Sequence, residues 1–555
     1  MKWLLTLLLT ALPGFAATVN WTNTVNQYPY ASGDTVNLYG TFGTQLLVTN
    51  NNVTFRFQQG ASFSTGAWDQ YGAIDLNGKT NLVIDGNGTG FITNTLARTG
   101  AANAYRRTTL IDGSLDGEVS HVLICNLNLN AYLRTSYTDF FVYPYGALGI
   151  NLKGNDLTVS NCNIGDCTSG ITMIPGSGTY YTNWNVFKCN LARMNHYIGM
   201  SVNENTTVSN MNITGGTFTG ATNYDGGGGG NNLHVDYIII QDGAQPGSYP
   251  TNLHQRHLSI SGNIFGADYV ADLTVVTNLG YTYNPNTGIW TNTAGDFVSH
   301  GATAVCAVYN NGGADELIDV SFVNNLTLSH TNETWGNAPI SLTASNLLIA
   351  NNTCIGLEGS RVSCGGAIQA AGINVNVFNN IGFPGYGVSL VGFTTNAIGT
   401  ESGTNDLFLL TNYLASVWSD KNVFVSDVET KVRFAWGVVN CSGCTPPFSP
   451  SFSYLTNWQT YNNNTYGWAA PIWNTSHADP HSVTNAITYN ANTCIPAVSD
   501  VVAYGQGTNL TSLFSAYGIS AVDYSGNLRP PVVNWTIGAF EAQDVLRGFR
   551  FRGKP

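Results

Sequence analysis

The sequence predicts an all-β fold, a β-solenoid of about ten or more coils with both ends capped. Three observations support this prediction. One short segment recurs along the chain, with starts roughly 20 to 27 residues apart in its centre, which is a period typical of solenoids. Apolar and small polar residues tend to alternate within each copy, as they do in strands. Each copy then ends at Asn or Gly, residues that tolerate left-handed backbone angles in turns.

The copies of this segment extend over most of the chain, and stacking them would bury a continuous apolar interior. They are Asn81–Gly88, His121–Leu127, Leu157–Ile164, Trp184–Leu191, Val208–Ile213, Val235–Ile240, Leu258–Ile264, Asp319–Leu326, Asn346–Thr353 and Asn374–Ile381. Asn-Asn pairs recur at one point of the segment, at 324–325, 351–352 and 379–380. We expect their amides to hydrogen-bond from coil to coil, as amide ladders do in cross-β stacks.

Cysteines also recur at similar points of successive copies, at Cys125, Cys162 and Cys189. Stacking as small buried side chains is one interpretation of this spacing. Disulfide bonding is the other, because an exported chain can form disulfides. The pairing of the ten cysteines stays open at this stage.

The repeated segment and its period resemble the right-handed parallel β-helix proteins of the pectate-lyase-like superfamily, over about 33–541. The C-terminal segments 523–531 and Ile537–Glu541 resemble the end of secreted bacterial members. The resemblance implies extracellular work on polysaccharides by lyases, glycoside hydrolases or epimerases, with some non-catalytic adhesins and tailspikes. The signature motifs of polygalacturonases and pectate lyases are absent, so the resemblance predicts the fold more specifically than the activity.

Four regions are predicted along the chain. Residues 1–17 read as a secretory signal peptide, with Lys2, a short apolar run and small residues at Ala16 and Ala17, and the run is too short to span a membrane. Residues 18–70 are expected to form an N-terminal cap and first coil, 71–400 the parallel β-helix, and 401–555 the final coils and a C-terminal capping region. We therefore expect a secreted, extracellular protein without a membrane span, and a monomer.

The charge balance limits the partners. Only 9% of residues are charged and the net charge is −12, whereas nucleic-acid binding needs a basic face. Nucleic acid is therefore not expected as a partner. The acidic balance also weakens the case for a polyanionic substrate, although a local basic cleft could still bind one. A polysaccharide or other glycan remains the expected partner.

Polar residues cluster in the central coils, and we take them as candidate catalytic residues: Asp225, His234, Asp236, Asp242, His254, Arg256 and His257. If Val235 stacks over Leu258, His234 lies beside His257 on neighbouring coils, roughly 5 Å apart. If Ile238 stacks over Leu258 instead, His234 pairs with His254 and Asp236 with Arg256. Both registers place His against His and collect an acid, a base and a guanidinium on one wall.

This cluster fits two reactions and one structural role. A lyase needs a base and a cation that neutralises a uronate carboxylate, roles for a flanking His and Arg256. A hydrolase needs two carboxylates at the glycosidic bond, for which Asp225, Asp236 and Asp242 are candidates. A hydrogen-bonded structural wall without catalysis is the third interpretation, and it corresponds to a glycan-binding or adhesin-like protein.

Two further groups are candidates for substrate binding. Lys188, Arg193, His196 and Glu204 precede the cluster by one or two coils and could extend the same groove. Tyr137, Phe140 and Tyr143 lie in an aromatic insertion at 131–149 and could pack against sugar rings. No cofactor is required by these residues. Calcium is possible at Asp225, Asp236 or Asp242, but no alternating run of carboxylates predicts a metal cage.

Overall fold

The structure is a computed structural model of the 555-residue chain. The residues that it describes are 16–66, 68, 70–95, 108–131, 147–167, 169–174, 180–194, 196–202, 207–220, 236–242, 254–266, 282–284, 289–291, 297–298, 304–309, 316–328, 340–355, 368–372, 375–382, 388–392, 417–424, 434–438, 451–452, 481–483, 487 and 496–541. The predicted signal peptide lies almost entirely outside them. No helix among the described residues is long and apolar enough to cross a membrane.

Two large parallel sheets form a parallel β-helix, as predicted. The 23-stranded sheet has two faces, because each coil crosses it first with a long strand and then, after a corner, with a short one. We call these face 1 and face 2. The 13-stranded sheet is face 3 and closes each coil. Its strands pair in parallel except for the last pairing, Phe434–Val438 with Ser451–Phe452. Ten or more coils are therefore present.

The strands of face 1 are Thr18–Thr22, Thr35–Tyr39, Val53–Phe57, Gly154–Ser160, Tyr180–Phe187, Thr207–Thr214, His254–Ser261, Glu316–Val323, Ser345–Ala350, Val375–Phe378 and Val417–Asp420. The strands of face 2 are Thr41–Phe42, Ser62–Thr65, Asn163–Gly165, Asn190–Ala192, Thr217–Thr219, Ile264–Phe265, Leu326–Leu328, Thr353–Ile355, Ile381–Gly382 and Val423–Phe424. Two long strands, Thr80–Asn94 and Val119–Asn130, run across both faces and join them into one sheet.

Face 3 consists of Leu46–Leu47, Ile74–Asp75, Thr108–Gly113, Ala147–Leu152, Ser169–Met173, His196–Val202, Asp236–Asp242, Ala304–Tyr309, Ile340–Thr343, Ile368–Gly372, Val388–Gly392, Phe434–Val438 and Ser451–Phe452. A separate three-stranded antiparallel sheet is formed by Thr282–Asn284, Ile289–Thr291 and Phe297–Val298. One short helix, Thr511–Ala516, lies in the C-terminal region.

Equivalent positions of the repeated segment lie directly above one another. Trp184 pairs with Leu157 on one side and with Met211 on the other, and Leu258 follows Met211. The apolar positions point inwards and form one continuous core cluster. Within it the rings of Phe218, Phe265 and Phe322 stack in sequence, with centroids 5.2 and 5.9 Å apart. Stacking of like side chains on like is what allows the coils to share one core.

The corner between faces 1 and 2 contains the predicted amide ladder. Its first residue takes a left-handed backbone conformation, at φ 56° in Asn324, Asn351 and Asn379, which Asn tolerates better than most residues. The second residue points into the core. The buried amides run from Asn263 through Asn325, Asn352 and Asn380 to Asn422, each Nδ2 donating to the Oδ1 of the next asparagine in this series at 2.9 to 3.1 Å.

Each ladder amide also bonds to two backbone groups of the coil before it. The Asn352 Nδ2 donates to the Phe322 carbonyl at 2.9 Å, and the Asn352 Oδ1 accepts the Asn325 backbone N–H at 2.9 Å. The ladder ends at Ser482, whose Oγ accepts the backbone N–H of Asn422 at 2.8 Å. The inner amides from Asn325 to Asn422 are therefore bonded at both their nitrogen and their oxygen, as burial of a polar group requires.

The predicted thiol stacking is confirmed for Cys162 and Cys189, which lie in the same column, whereas Cys125 is the in-register partner of Ser160. Cys162 and Cys189 occupy the inner corner position of earlier coils, where both are buried free thiols, as is Cys125 nearby. The Sγ of Cys189 lies 3.5 Å from the Val159 carbonyl, the acceptor position that an Asn amide uses in later coils. A thiol therefore occupies the place of the amide, as a weaker donor.

The C-terminal residues 496–541 pack against the outside of the later coils. Phe514 and Trp535 contact Val323, Leu348 and Ala350 in one apolar cluster. Arg529 is fully buried and bonds to the Glu541 carboxylate at 3.0 Å and to the Asn324 Oδ1 at 3.1 Å. This segment is thus attached to the first residue of a ladder corner.

The ladder predicts that removal of one inner amide greatly lowers the stability of the protein. Asn352→Ala should lower the free energy of unfolding by about 3 kcal/mol, because it leaves the Asn325 N–H and the Phe322 carbonyl buried without partners. Asn346→Ala is the matched control, since its outward amide bonds to the Asp319 Oδ1; its loss should stay below about 1 kcal/mol. Chemical denaturation measures both. Equal losses would contradict the role given to the inner column.

Candidate functional site

A groove runs along the outside of face 1 in the central coils. Its volume is about 820 Å³. Its floor is the outer surface of three neighbouring strands, Thr207–Thr214, His254–Ser261 and Glu316–Val323, and its wall is the C-terminal segment 517–526. We call it the central groove. Two of the residues predicted from sequence line it, His257 and Lys188.

Amides and hydroxyls dominate the floor because the outward positions of face 1 repeat from coil to coil. Asn185, Asn212, Ser259 and Ser321 are successive partners in register. The Asn212 Nδ2 donates to the Asn185 Oδ1 at 3.0 Å, which leaves its second N–H and its own oxygen for other partners. The result is a regular array of donors and acceptors with a step of about 4.8 Å.

His257 is held in place by a carboxylate of the next coil. Its Nδ1 lies 3.1 Å from the Asp319 Oδ2, and the Asp319 Oδ1 accepts the Asn346 amide at 2.9 Å. The His257 side chain is 60% exposed, so its second ring nitrogen is available to a ligand in the groove. An imidazole oriented by a carboxylate is an arrangement used in general base catalysis.

The same arrangement also occurs outside the groove. His121 occupies the equivalent position of an earlier coil, and its Nδ1 lies 3.1 Å from the Asp156 Oδ2. Both histidines have left-handed backbone conformations, at φ 52° and 58°. The His–Asp contact is therefore a recurrent way of joining coils, and only its position in the groove distinguishes His257.

An aromatic ring and a cation lie together at one end of the groove. Phe187 is 42% exposed, and the Lys188 Nζ lies 4.9 Å from the centre of its ring. Lys188 takes the left-handed corner position, so its side chain projects from the edge of face 1. On the opposite wall, burial raises the pKa of Tyr517 to about 12, so its phenol stays neutral and can donate or accept a hydrogen bond.

The predicted stacking of the catalytic candidates is wrong. Ile238 does not stack over Leu258, because Asp236–Asp242 is a strand of face 3, whereas His254–Ser261 is a strand of face 1. Val235, on which the other register depends, lies outside the described residues. In register Asp236 lies beside His196 and Ala304, and Arg256 lies beside Ser209 and Ile318. Each coil has an apolar strand on both faces, and the repeated segment does not distinguish them.

The structure therefore separates the predicted residues. Arg256 is exposed next to His257 on face 1, whereas Asp236 is fully buried on face 3 with His196 on the neighbouring coil. Arg193 makes a two-point ion pair with Asp166, at 2.9 and 2.8 Å. The remaining candidates lie outside the described residues, or only their backbones are described: Asp225, His234, Glu204, Tyr137, Phe140, Tyr143, Asp242 and His254.

Calcium binding is predicted as possible at Asp225, Asp236 or Asp242. Within the described part of the chain, no three or more His, Cys, Asp or Glu side chains are arranged to hold a metal ion. Asp225 and the side chain of Asp242 are outside that part. Calcium binding therefore stays an untested prediction.

Sequence reasoning missed a second polar region, on the outside of face 3 near the N-terminal end. Asp75 and Asp112 are in-register neighbours, and both are buried. The Asp112 Oδ1 accepts the Asn151 amide at 3.0 Å. Burial raises the pKa of Asp75 to about 6, and the negative charges of Asp116 and Asp112 add to the effect. The strand period of face 3 would place Asp75 and Asp112 together. The repeated segment of face 1 is, however, the more obvious pattern in the sequence.

No protein-family model matches this chain, and no curated protein is significantly similar to it. The parallel β-helix is thus defined by the strand pairing alone. The positions of His257, Asp319 and Lys188 define the central groove as the candidate site.

Asp75 makes stability depend on pH. Its pKa is raised from 3.8 to about 6 in the folded chain, so the folded state binds a proton more tightly than the unfolded state. Folding stability should therefore fall as pH rises from about 4 to 6 and stay lower above that range. Asp75→Asn should remove this loss and raise stability at pH 7 by about 1 to 2 kcal/mol, measured by denaturation at several pH values.

Asp85 provides a control, because its pKa is shifted in the opposite direction to that of Asp75. Burial alone would raise its pKa, but hydrogen bonds from Asn126, Asn87 and Arg56 together lower it. Its contribution is present above the unfolded pKa and is lost as the pH falls, so Asp85→Asn should cost stability at pH 7, by less than about 1 kcal/mol. A parallel pH response of the two variants would contradict the assignment for Asp75.

Proposed function

We propose that this chain is a secreted, extracellular β-helix protein of the pectate-lyase-like kind that binds a polysaccharide along the central groove. The observation that carries the proposal is a pair of outward side chains on the groove floor, the Asn212 amide and the Ser259 hydroxyl, which are in-register partners on neighbouring coils. Polar groups at one strand spacing suit a polymer of repeated units, since neighbouring coils present a hydrogen-bonding side chain to successive sugars.

The ends of the groove support a sugar ligand. Phe187 offers an exposed ring against which the apolar face of a sugar can pack. Lys188 and Arg256 supply positive charge at or beside the groove, although the whole chain carries −12. These two cations are partners for a sugar carboxylate, because the groove carboxylates Asp319 and Asp523 are already engaged within the protein. A polysaccharide with some carboxylate groups therefore fits better than a neutral one.

Hydrolysis in the groove is less well supported than binding. A glycoside hydrolase needs two carboxyl groups facing the glycosidic bond. The groove carboxylates are both engaged: Asp319 by His257 and Asn346, and Asp523 by the Asn527 and Glu541 backbone N–H groups at 2.8 and 3.0 Å. Asp523 is also buried, with only 3% of its surface exposed.

Cleavage by elimination is the second candidate function. It is favoured by the adjacency of Arg256 and His257, both exposed on one strand. His257, oriented by Asp319, would take the proton next to a uronate carboxylate, and Arg256 would neutralise that carboxylate. Absorbance from unsaturated products separates this function from binding alone. His257→Ala should abolish it, and His121→Ala, with the same His–Asp contact outside the groove, should not.

Binding is tested by affinity electrophoresis against a panel of acidic and neutral polysaccharides. Lys188→Ala and Phe187→Ala should each weaken the tightest interaction about tenfold, or ~1.4 kcal/mol. Lys421→Ala is the matched control, because Lys421 takes the same corner position at φ 58° and does not line the groove. Equal weakening by Lys188→Ala and Lys421→Ala, or no retardation of the unaltered protein by any polysaccharide, would refute the proposal.

A further inference from the structure

The first coil of the β-helix begins at Ala17, which the second coil holds from two sides. The Ala17 backbone N–H donates to the Asp34 Oδ1 at 2.8 Å. The Ala17 carbonyl accepts the Thr35 backbone N–H at 2.9 Å. The strand Thr18–Thr22 follows directly and pairs with Thr35–Tyr39 in register. Ala17 is therefore the first of the described residues that hydrogen bonds fix in place.

Asp34 is a buried carboxylate whose partners are all neutral. Only 7% of its surface is exposed. Its Oδ1 accepts the Ala17 N–H at 2.8 Å and its Oδ2 accepts the Ala31 N–H at 2.7 Å. Among the residues that the structure describes, no Lys, Arg or His forms an ion pair with it. Because burial of an unpaired charge is costly, a cation beside Asp34 would stabilise the fold.

The sequence around Ala17 can supply that cation. Residues 1–17 are predicted to be a secretory signal peptide, and such peptides are removed after a small residue that has another small residue two positions before it. A cut after Ala16 fits this rule, with Gly14 as the earlier small residue. A cut after Ala17 would place Phe15 at that position. The rule therefore favours cleavage of the Ala16–Ala17 bond.

Cleavage of this bond would put a positive charge next to Asp34. The Ala17 backbone nitrogen would become an α-amino group, which is mostly protonated at pH 7. This nitrogen already lies 2.8 Å from the Asp34 Oδ1. A cut one residue earlier would move the charge by roughly 3.5 Å, and a cut one residue later would remove Ala17 altogether. The bond that the sequence favours is thus also the one that gives Asp34 a cation.

We infer that the Ala16–Ala17 bond is the processing site of this chain, and that the new α-ammonium of Ala17 forms an ion pair with the buried Asp34 carboxylate. A signal peptidase supplies the reaction and one water molecule is consumed. The Ala16 carbonyl carbon takes the hydroxyl and becomes a carboxylate, and the Ala17 nitrogen takes the protons and becomes the ammonium. The existing hydrogen bond to Asp34 then becomes charge-assisted and roughly twice as strong.

This ion pair would secure the end of the apolar core. Trp21 of the first coil is fully buried, and its ring packs edge-on against Tyr30 with the centroids 5.5 Å apart. Asp34 bonds to Ala17, which precedes the strand of Trp21, and to Ala31, which follows Tyr30. One carboxylate thus joins the two segments that close over the terminal coil. Terminal coils need such a cap, because they have a neighbour on one side only.

The inference rests on the export that the proposed function includes, but not on polysaccharide binding. It is tested first by expressing the full-length chain in a secreting bacterial host. Mass spectrometry of the N-terminal peptide of the exported protein should show that it begins at Ala17.

The ion pair is tested by labelling the α-amine of the exported protein with a limiting amount of an acetylating ester at pH 7. An ammonium held by a carboxylate gives up its proton less readily, and only the free amine reacts. Asp34→Asn should therefore raise the labelling rate at Ala17 about tenfold, measured by peptide mass spectrometry. Unfolding the unaltered protein in urea should raise the rate by a similar factor, and this measurement does not depend on a variant that folds.

Asp156→Asn is the matched control. It removes a carboxylate that bonds to Asn183 at 2.6 Å and to His121 at 3.1 Å on face 1, several coils from Ala17. Its labelling rate at Ala17 should equal that of the unaltered protein. Thermal melts establish that both variants are folded.

Three results would overturn the inference. An exported chain that begins at Thr18 or later would refute it and leave the polysaccharide proposal standing. A chain that is retained in the cell with Met1 in place would refute both the inference and the predicted export. A chain that begins at Ala17 but is labelled equally fast in the unaltered and Asp34→Asn proteins would show that no ion pair forms.

Discussion

Vertical registration of equivalent side chains is the constraint on which this structure depends. No single coil can bury its apolar positions, and a shift of one residue between coils would turn them outwards. The corner between faces 1 and 2 enforces the register, because the inner amides of Asn325, Asn352 and Asn380 bond to one another and to backbone groups of adjacent coils. A shifted coil would leave these buried groups without partners, at a cost of about 1 to 3 kcal/mol for each group.

The same corner links the scaffold to the candidate site. In two of the three Asn pairs the first residue binds the C-terminal segment: the Asn324 amide donates to the Val522 carbonyl and the Asn379 amide to the Thr508 carbonyl, both at 2.8 Å. Arg529 adds a bond to the Asn324 Oδ1. Residues 517–526 are the wall of the central groove, so one Asn-Asn pair stabilises the core on one side and shapes the site on the other.

Much of the fold could be predicted because a solenoid repeats its local rules. The period, the strand alternation and the Asn pairs at 324–325, 351–352 and 379–380 are sufficient to predict the parallel β-helix and the amide ladder, whereas the sequence left the cysteines open between buried thiols and disulfides. Each of these depends only on the position of a residue within one coil. The sequence shows that position directly, whatever the lengths of the intervening insertions.

The site was less predictable because it depends on which face each strand occupies. Val235–Ile240 and Leu258–Ile264 look alike in sequence, but the strand Asp236–Asp242 belongs to face 3 and the strand His254–Ser261 to face 1. Asp236 is therefore the in-register partner of His196 and not of Arg256. The wall of the groove comes from Tyr517–Gly526, and the contact between Asn324 and Arg529 spans 205 residues of sequence. The repeat pattern of the sequence contains no information about such a contact.

The most direct test of registration is a distance between two spin labels on one outward column. Val83, Leu123, Thr158, Asn185, Asn212 and Ser259 are successive in-register partners, so Val83 and Ser259 are separated by five steps. With labels at Val83→Cys and Ser259→Cys, pulsed electron resonance should give a single distance of about 24 Å, which is five strand spacings. A distance beyond about 35 Å, or several separate distances, would contradict the stacking from which the groove and the ladder follow.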